Sequence, residues 1–167
     1  NEGHTGQRSL KLTQASGLSL GRPAHFGIGE RFYISLWVKG FVAASNNMGL
    51  RYVTSTGLTT QNPFVPVGKP IDGWQKVEAY FDMPSVEQIA LYIPVNGLMD
   101  DVRICPAKSN MKSFAYNPLN FRLYASLDEN NYATFFEYDA EGKLIRTKKE
   151  TEKGILTVNE SRMSVSK

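Results

Sequence analysis

The sequence predicts an all-β protein, a jelly-roll β-sandwich with a C-terminal antiparallel β-meander. Three observations point there. Apolar and polar residues alternate with a period of two in short runs, helical periodicity is hard to find, and the runs are punctuated by Gly, Pro, Asn and Asp at intervals that suit a sandwich.

Taking the elements in order, residues 9–13 form a short first candidate. The clearest run is Arg31–Lys39, RFYISLWVK, in which Phe32, Ile34, Leu36 and Val38 share one face and Tyr33, Ser35, Trp37 and Lys39 the other. The aliphatic set is the natural core face. Gly49–Val53 is a further short strand, and residues 55–73, with three prolines, read as a long loop. Trp74–Asp82 alternates Val77, Ala79 and Phe81 against Lys76, Glu78 and Tyr80, with Trp74 anchoring the strand start. Residues 88–93 set Ile89, Leu91 and Ile93 against Ala90 and Tyr92, and residues 101–104 close the set. Short strands with long connections suit a Greek-key or jelly-roll sandwich.

At Pro106 the texture changes. Residues 107–113, AKSNMKS, are small and polar, and beyond them Tyr, Asn and alternating charge increase. The expected domains are therefore 1–107 and 108–167. In the second, residues 120–127, 133–138, 143–149 and 155–165 read as successive strands. Asp139-Ala140-Glu141-Gly142 carries turn chemistry, with Asp suited to the first position and Gly to a positive φ at the last, and Asp128-Glu129-Asn130-Asn131 repeats it one hairpin earlier. A meander of this size is small for independent stability. Its apolar positions Phe121, Leu123, Phe135, Leu144 and Ile155 are thus expected to be covered by the sandwich, a second copy or a neighbouring domain.

Composition narrows the function. With 41% hydrophobic and 21% charged residues the chain is an ordinary globular one, and a net charge of +3 spread over 19 basic and 16 acidic residues argues against a nucleic-acid surface. Cys105 is the single cysteine, which rules out an internal disulfide and a cysteine-based zinc site; a buried apolar role is expected for it. No apolar run reaches the ~20 residues of a membrane span. With no initiator Met or signal peptide, the chain is expected to be a piece of a longer protein.

The stretches HTGQRSLKL (4–12), FYISLWVKG (32–40), GWQKVEAYFDMP (73–84), IALYIPVNG (89–97) and DDVRICP (100–106) resemble, in order and spacing, the galactose-binding-like jelly rolls of bacterial carbohydrate-binding modules. NYATFFEYDAEGKLIRTKKE (131–150), with Tyr138-Asp139 followed by Gly142 and Leu-Ile-Arg, resembles the YD-repeat, Rhs-type segments of large secreted bacterial proteins. The tail ILTVNESRM departs from that pattern. Together the resemblances imply a non-catalytic structural or adhesion segment of a large surface protein of Bacteroidetes-like bacteria. The alternative they imply is a calcium-stabilised glycan-binding module of a polysaccharide-processing protein. The implied partners are a glycan or neighbouring domains of the parent protein.

Jelly-roll modules of this kind often hold a structural calcium ion, and by position Glu2, Asp101 and Asp100 are the matching residues; a hard cation of this size takes about 6–8 oxygens. The side chains alternating away from the core, Tyr33, Trp37, Arg51, Glu78, Tyr80, Tyr92 and Arg103, are candidates to stack on a sugar's apolar face and bond its hydroxyls. The competing role for Trp37 and Tyr80 is packing beneath a loop or the second unit. For catalysis, His4 and His25 have no nucleophile motif near them, and the hydrolytic option is a pair of carboxylates, for instance Glu78 with Glu87 or Asp101. GIGER (27–31) lacks the Lys-Ser/Thr ending of a phosphate loop.

Overall fold

The computed structural model describes residues 2–11, 18–21, 27–40, 48–53, 59–85, 88–92, 97–151 and 153–161. The protein is all-β, with no helix among these residues and every strand pairing antiparallel. It divides into two compact units, Ser9–Ser109 and Asn1–Arg8 with Asn110–Lys167.

The first unit is a β-sandwich. One sheet holds β1 (Leu10–Lys11), β9 (Leu98–Pro106), β3 (Arg31–Lys39), β7 (Trp74–Asp82) and β6 (Val65–Ile71), in that order. The other holds β2 (Leu18–Gly21), β8 (Gln88–Tyr92), β4 (Gly49–Val53) and β5 (Thr59–Pro63). The alternation of β3 and β7 is realised as read. Phe32, Ile34, Leu36 and Val38 pair across the ladder with Phe81, Ala79, Val77 and Gln75, so every core-facing residue of β3 meets a partner on its own face. With Leu50, Ile89, Leu91 and Met99 they make a single buried cluster between the sheets. Trp74 is buried at the start of β7, as its place after Gly73 implied.

Residues 55–73 are not one long loop. They contain β5 and β6, joined through Phe64, whose buried ring enters the core and whose N–H donates to the Met48 carbonyl at 3.0 Å. The prolines mislead because Pro63 ends a strand and Pro66 and Pro70 stand on β6, an edge strand, where a missing N–H costs least. The β6–β7 hairpin closes on Asp72-Gly73, φ 49° and 81°, between the paired residues Ile71 and Trp74. That is a type I′ turn, and Asp-Gly is its usual dipeptide. β9 is also longer than residues 101–104, and carries one extra residue where Asp100 and Arg103 face Trp37 and Ser35; Asp101, with φ 48°, lies in this bulge. Cys105, opposite Tyr33, is only partly buried.

The second unit is a five-stranded sheet in sequence order: β10 (Ser113–Tyr116), β11 (Leu123–Leu127), β12 (Ala133–Tyr138), β13 (Leu144–Thr151) and β14 (Gly154–Glu160). Its hairpins follow from turn chemistry. Asp128 Oδ1 accepts from the N–H groups of Asn130 and Tyr132, both at 3.0 Å, and the positive φ of 65° falls on buried Asn131. Asp139 Oδ1 accepts from Lys143 N–H at 2.8 Å, and Gly142 takes φ 93°. β10 begins at Ser113, the last residue of the polar stretch after Pro106. Of the five apolar positions expected to be covered, Leu123 and Phe135 are partly buried, whereas Phe121, Leu144 and Ile155 are exposed.

Residues 2–8 belong to this unit and are held by a buried contact. His4 Nε2 and Glu150 Oε1 stand 2.8 Å apart with both side chains almost fully buried, and the other oxygen of Glu150 accepts from Ala133 N–H at 2.7 Å.

Candidate functional site

The outward residues of β3 and β7 form a polar and aromatic cluster. Tyr33 and Tyr80 face each other across the ladder with ring centroids 5.1 Å apart, and Arg31 lies 5.6 Å from the Tyr80 ring. The Tyr33 phenol donates to Glu78 Oε2 at 2.6 Å, and Lys76 Nζ stands 3.5 Å from the same oxygen. Burial and this bond to a carboxylate push the Tyr33 phenol well above the usual range. Tyr80 is 51% exposed, the open end of the cluster.

The other sugar-binding candidates are placed differently. Trp37 is fully buried and Arg103 is 4% exposed, so neither presents a surface to a ligand in this structure. Arg51 and Tyr92 alternate with the core residues Leu50 and Leu91 on the second sheet, which sets them on its outer side, away from Tyr33 and Tyr80. There the Arg51 guanidinium stacks 3.5 Å over the Tyr92 ring, a cation–π pair. The seven candidates thus divide into an open pair with Glu78, a buried pair and a pair on the opposite side of the sandwich.

Of the calcium candidates, Asp100 and Asp101 share the β9 bulge, where Asp100 Oδ1 accepts from Asp101 N–H at 2.8 Å, whereas Glu2 belongs to the other unit. Among the described residues no three His, Cys, Asp or Glu side chains are grouped to hold a metal ion. Glu87 and His25 lie outside the described residues. Residues 27–30 of GIGER make a turn into β3, with Gly29 N–H bonded to the Met83 carbonyl at 2.9 Å.

The meander carries concave surface that strand reading alone did not single out. One hollow of about 410 Å³ is lined by Asn120, Arg122 and Leu123 on one side and Phe136, Tyr138 and Asp139 on the other. A second, of about 390 Å³, is lined by residues 5–8 with Tyr116 and Pro118. Asn117 and Tyr124 line both, so the hollows are neighbours. The Asn117-to-Arg122 loop that borders them is tied by four bonds. Phe121 N–H donates to the Asn117 carbonyl at 2.8 Å and Asn117 N–H to the Arg122 carbonyl at 2.9 Å. The side chains of Asn117 and Asn120 accept from Leu119 and Arg122 N–H groups at 2.9 and 3.1 Å. The repeated Asn of NPLN was the available signal, because Asn bonds its own backbone two residues on.

Charge in the first hollow is unevenly satisfied. Both oxygens of Glu137 are taken, by Arg146 at 2.7 Å and Lys148 at 2.5 Å, and these partners, Lys148 foremost, hold its carboxyl below the usual glutamate range. Arg122 has no carboxylate partner among the described residues. Its guanidinium lies over Gly142, 5.8 Å from the Tyr138 ring, with one long bond of 3.4 Å to the Asp139 carbonyl. The chain matches no protein-family model and no curated protein sequence.

Proposed function

We propose that the chain is a non-catalytic structural or adhesion segment of a larger extracellular bacterial surface protein. The observation that supports this best is the tip of the β10–β11 loop. Leu119 is 89% and Phe121 79% exposed, the most exposed large apolar side chains among the described residues, and the hydrogen-bonded loop beneath fixes them outward. Holding Phe121 at φ 56°, a region costly for a side chain with a Cβ, is a use of stability that serves contact better than folding. A pre-ordered apolar tip suits packing against a neighbouring domain, since little entropy is lost on docking. The test is protease shaving of intact source cells. Peptides of this chain released before lysis support the reading, and recovery only from the cytosolic fraction overturns it.

A second reading, a glycan held on the sandwich, draws on Tyr80, whose half-exposed ring beside Tyr33 and Glu78 offers a stacking surface and an acceptor. Its calcium component is tested by melting. Saturating calcium raises Tm and chelator reverses it if Asp100, Asp101 or Glu2 ligate the ion, because a ligand bound only by the native state stabilises that state.

A further inference from the structure

We infer that the two neighbouring hollows of the meander are a binding site for an acidic oligosaccharide, with Arg122 receiving a sugar carboxylate and Tyr124 and Tyr138 receiving pyranose faces. The site lies wholly in the second unit, so the inference does not depend on either reading above.

Charge comes first. A guanidinium presents a planar fork that matches a carboxylate, and it is normally met by one when partly buried. Arg122 is half-buried, yet its one bond is the 3.4 Å contact with a carbonyl. The carboxylates that line the same hollow are engaged elsewhere: Glu137 is held by Arg146 and Lys148, and Asp139 by the backbone of Lys143. The local cation is therefore the group short of a partner. Gly142 lets it lie where it does, because a Cβ at that position would collide with the guanidinium.

Shape and the remaining lining choose the class of anion. Tyr116 is 58% and Tyr124 39% exposed, and with Tyr138 they place rings in both hollows. Gln7, Asn117 and Asn120 add planar amides, able to donate to and accept from hydroxyls. Stacking rings, amides and a few charges are what a sugar needs, apolar on its C–H face and polar at its rim. An acidic peptide would use the charge but not the row of rings and amides. The β11–β12 ladder covers only Ala125–Leu127 with Ala133–Phe135, and β10 is an edge strand, so the peptide is tested directly.

The experiment is calorimetry on the whole chain with tetramers of glucuronate, galacturonate and mannuronate, their methyl esters, and tetraglutamate. At least one uronate should bind, with its ester and the peptide at least tenfold weaker. Arg122→Met should lose at least tenfold, Arg122→Lys should lose part of that because charge remains without the fork, and Tyr124→Ala should weaken binding several-fold. Lys69→Ala, a charge change in the other unit, should leave binding unchanged. The unfolding midpoint of each variant is measured alongside, and if Arg122→Met misfolds, Arg122→Lys carries the comparison. No binding of any uronate at millimolar concentration overturns the inference. So does equal binding of ester or peptide, or indifference of a folded Arg122 variant.

Discussion

His4 Nε2 and Glu150 Oε1 meet at 2.8 Å although 146 residues separate them, and both side chains are almost fully buried. Glu150 cannot lose that partner cheaply, because its second oxygen is fixed on Ala133 N–H and water does not reach the first. We expect His4→Ala to destabilise the C-terminal unit by about 2–4 kcal/mol, the range for orphaning a buried charged or strongly polar group. His4→Gln should recover part of the loss. Denaturant unfolding followed by tyrosine fluorescence reads both, and an unchanged midpoint in His4→Ala would mean the segment is not fastened here.

Acid should loosen the meander through Glu137. Its folded pKa is depressed by Lys148 and Arg146 relative to an ordinary value near 4.5, so its stabilising contribution is complete above that value and disappears as pH falls through the depressed one. The carboxylate is a third exposed, which limits the contribution to below about 1 kcal/mol. Glu137→Gln should show a flatter stability profile below pH 5 than the parent.

Alkali should act on the sandwich through Tyr33. Burial and the bond to Glu78 raise its pKa, so the native state is favoured below the ordinary phenol value of 10.0 and loses that advantage as pH climbs above it. Tyr33→Phe should remove this part of the alkaline decline. Parallel profiles for parent and variant above pH 10 would contradict the assignment.

Gly142→Ala should cost about 1–3 kcal/mol. The φ of 93° strains any residue with a Cβ, and the added methyl meets the Arg122 guanidinium. The equilibrium unfolding free energy checks the cost, and a change below about 0.5 kcal/mol would show that the turn relaxes freely.

Phe121→Gly should do the opposite and stabilise by roughly 0.5–1 kcal/mol. It relieves a positive φ at a side chain that makes little buried contact, and Gly accepts that backbone at no steric cost. A raised melting temperature together with lower surface hydrophobicity is the expected result; a lowered one would mean that the ring packs in solution.

Much of the sandwich was legible because period two is a strong signal where a strand is buried on one face. β3, β4 and β7 begin and end as the alternation indicated. β6 was hidden by Pro66 and Pro70, and the cue that could have revealed it was Asp72-Gly73, a hairpin dipeptide read as part of a loop. The division of the candidate site was not legible. Alternation says that Trp37 and Tyr80 leave the core, but not that one is covered and the other open, since that depends on residues distant in sequence. Nor did alternation distinguish the outer side of one sheet from that of the other, which separated Arg51 and Tyr92 from Tyr33. The Arg122 site was missed because its cation, rings and amides come from separate hairpins and share no motif.

The membership of residues 2–8 in the C-terminal unit gives the chain an unusual response to pulling. Tension entering at residues 2–8 and leaving through the meander would load the His4–Glu150 contact before Ser9–Ser109, because both ends of that segment connect to the same unit. Once that contact yields, the sandwich is in series with the load, and unravelling it releases on the order of 340 Å of slack at about 3.4 Å per residue.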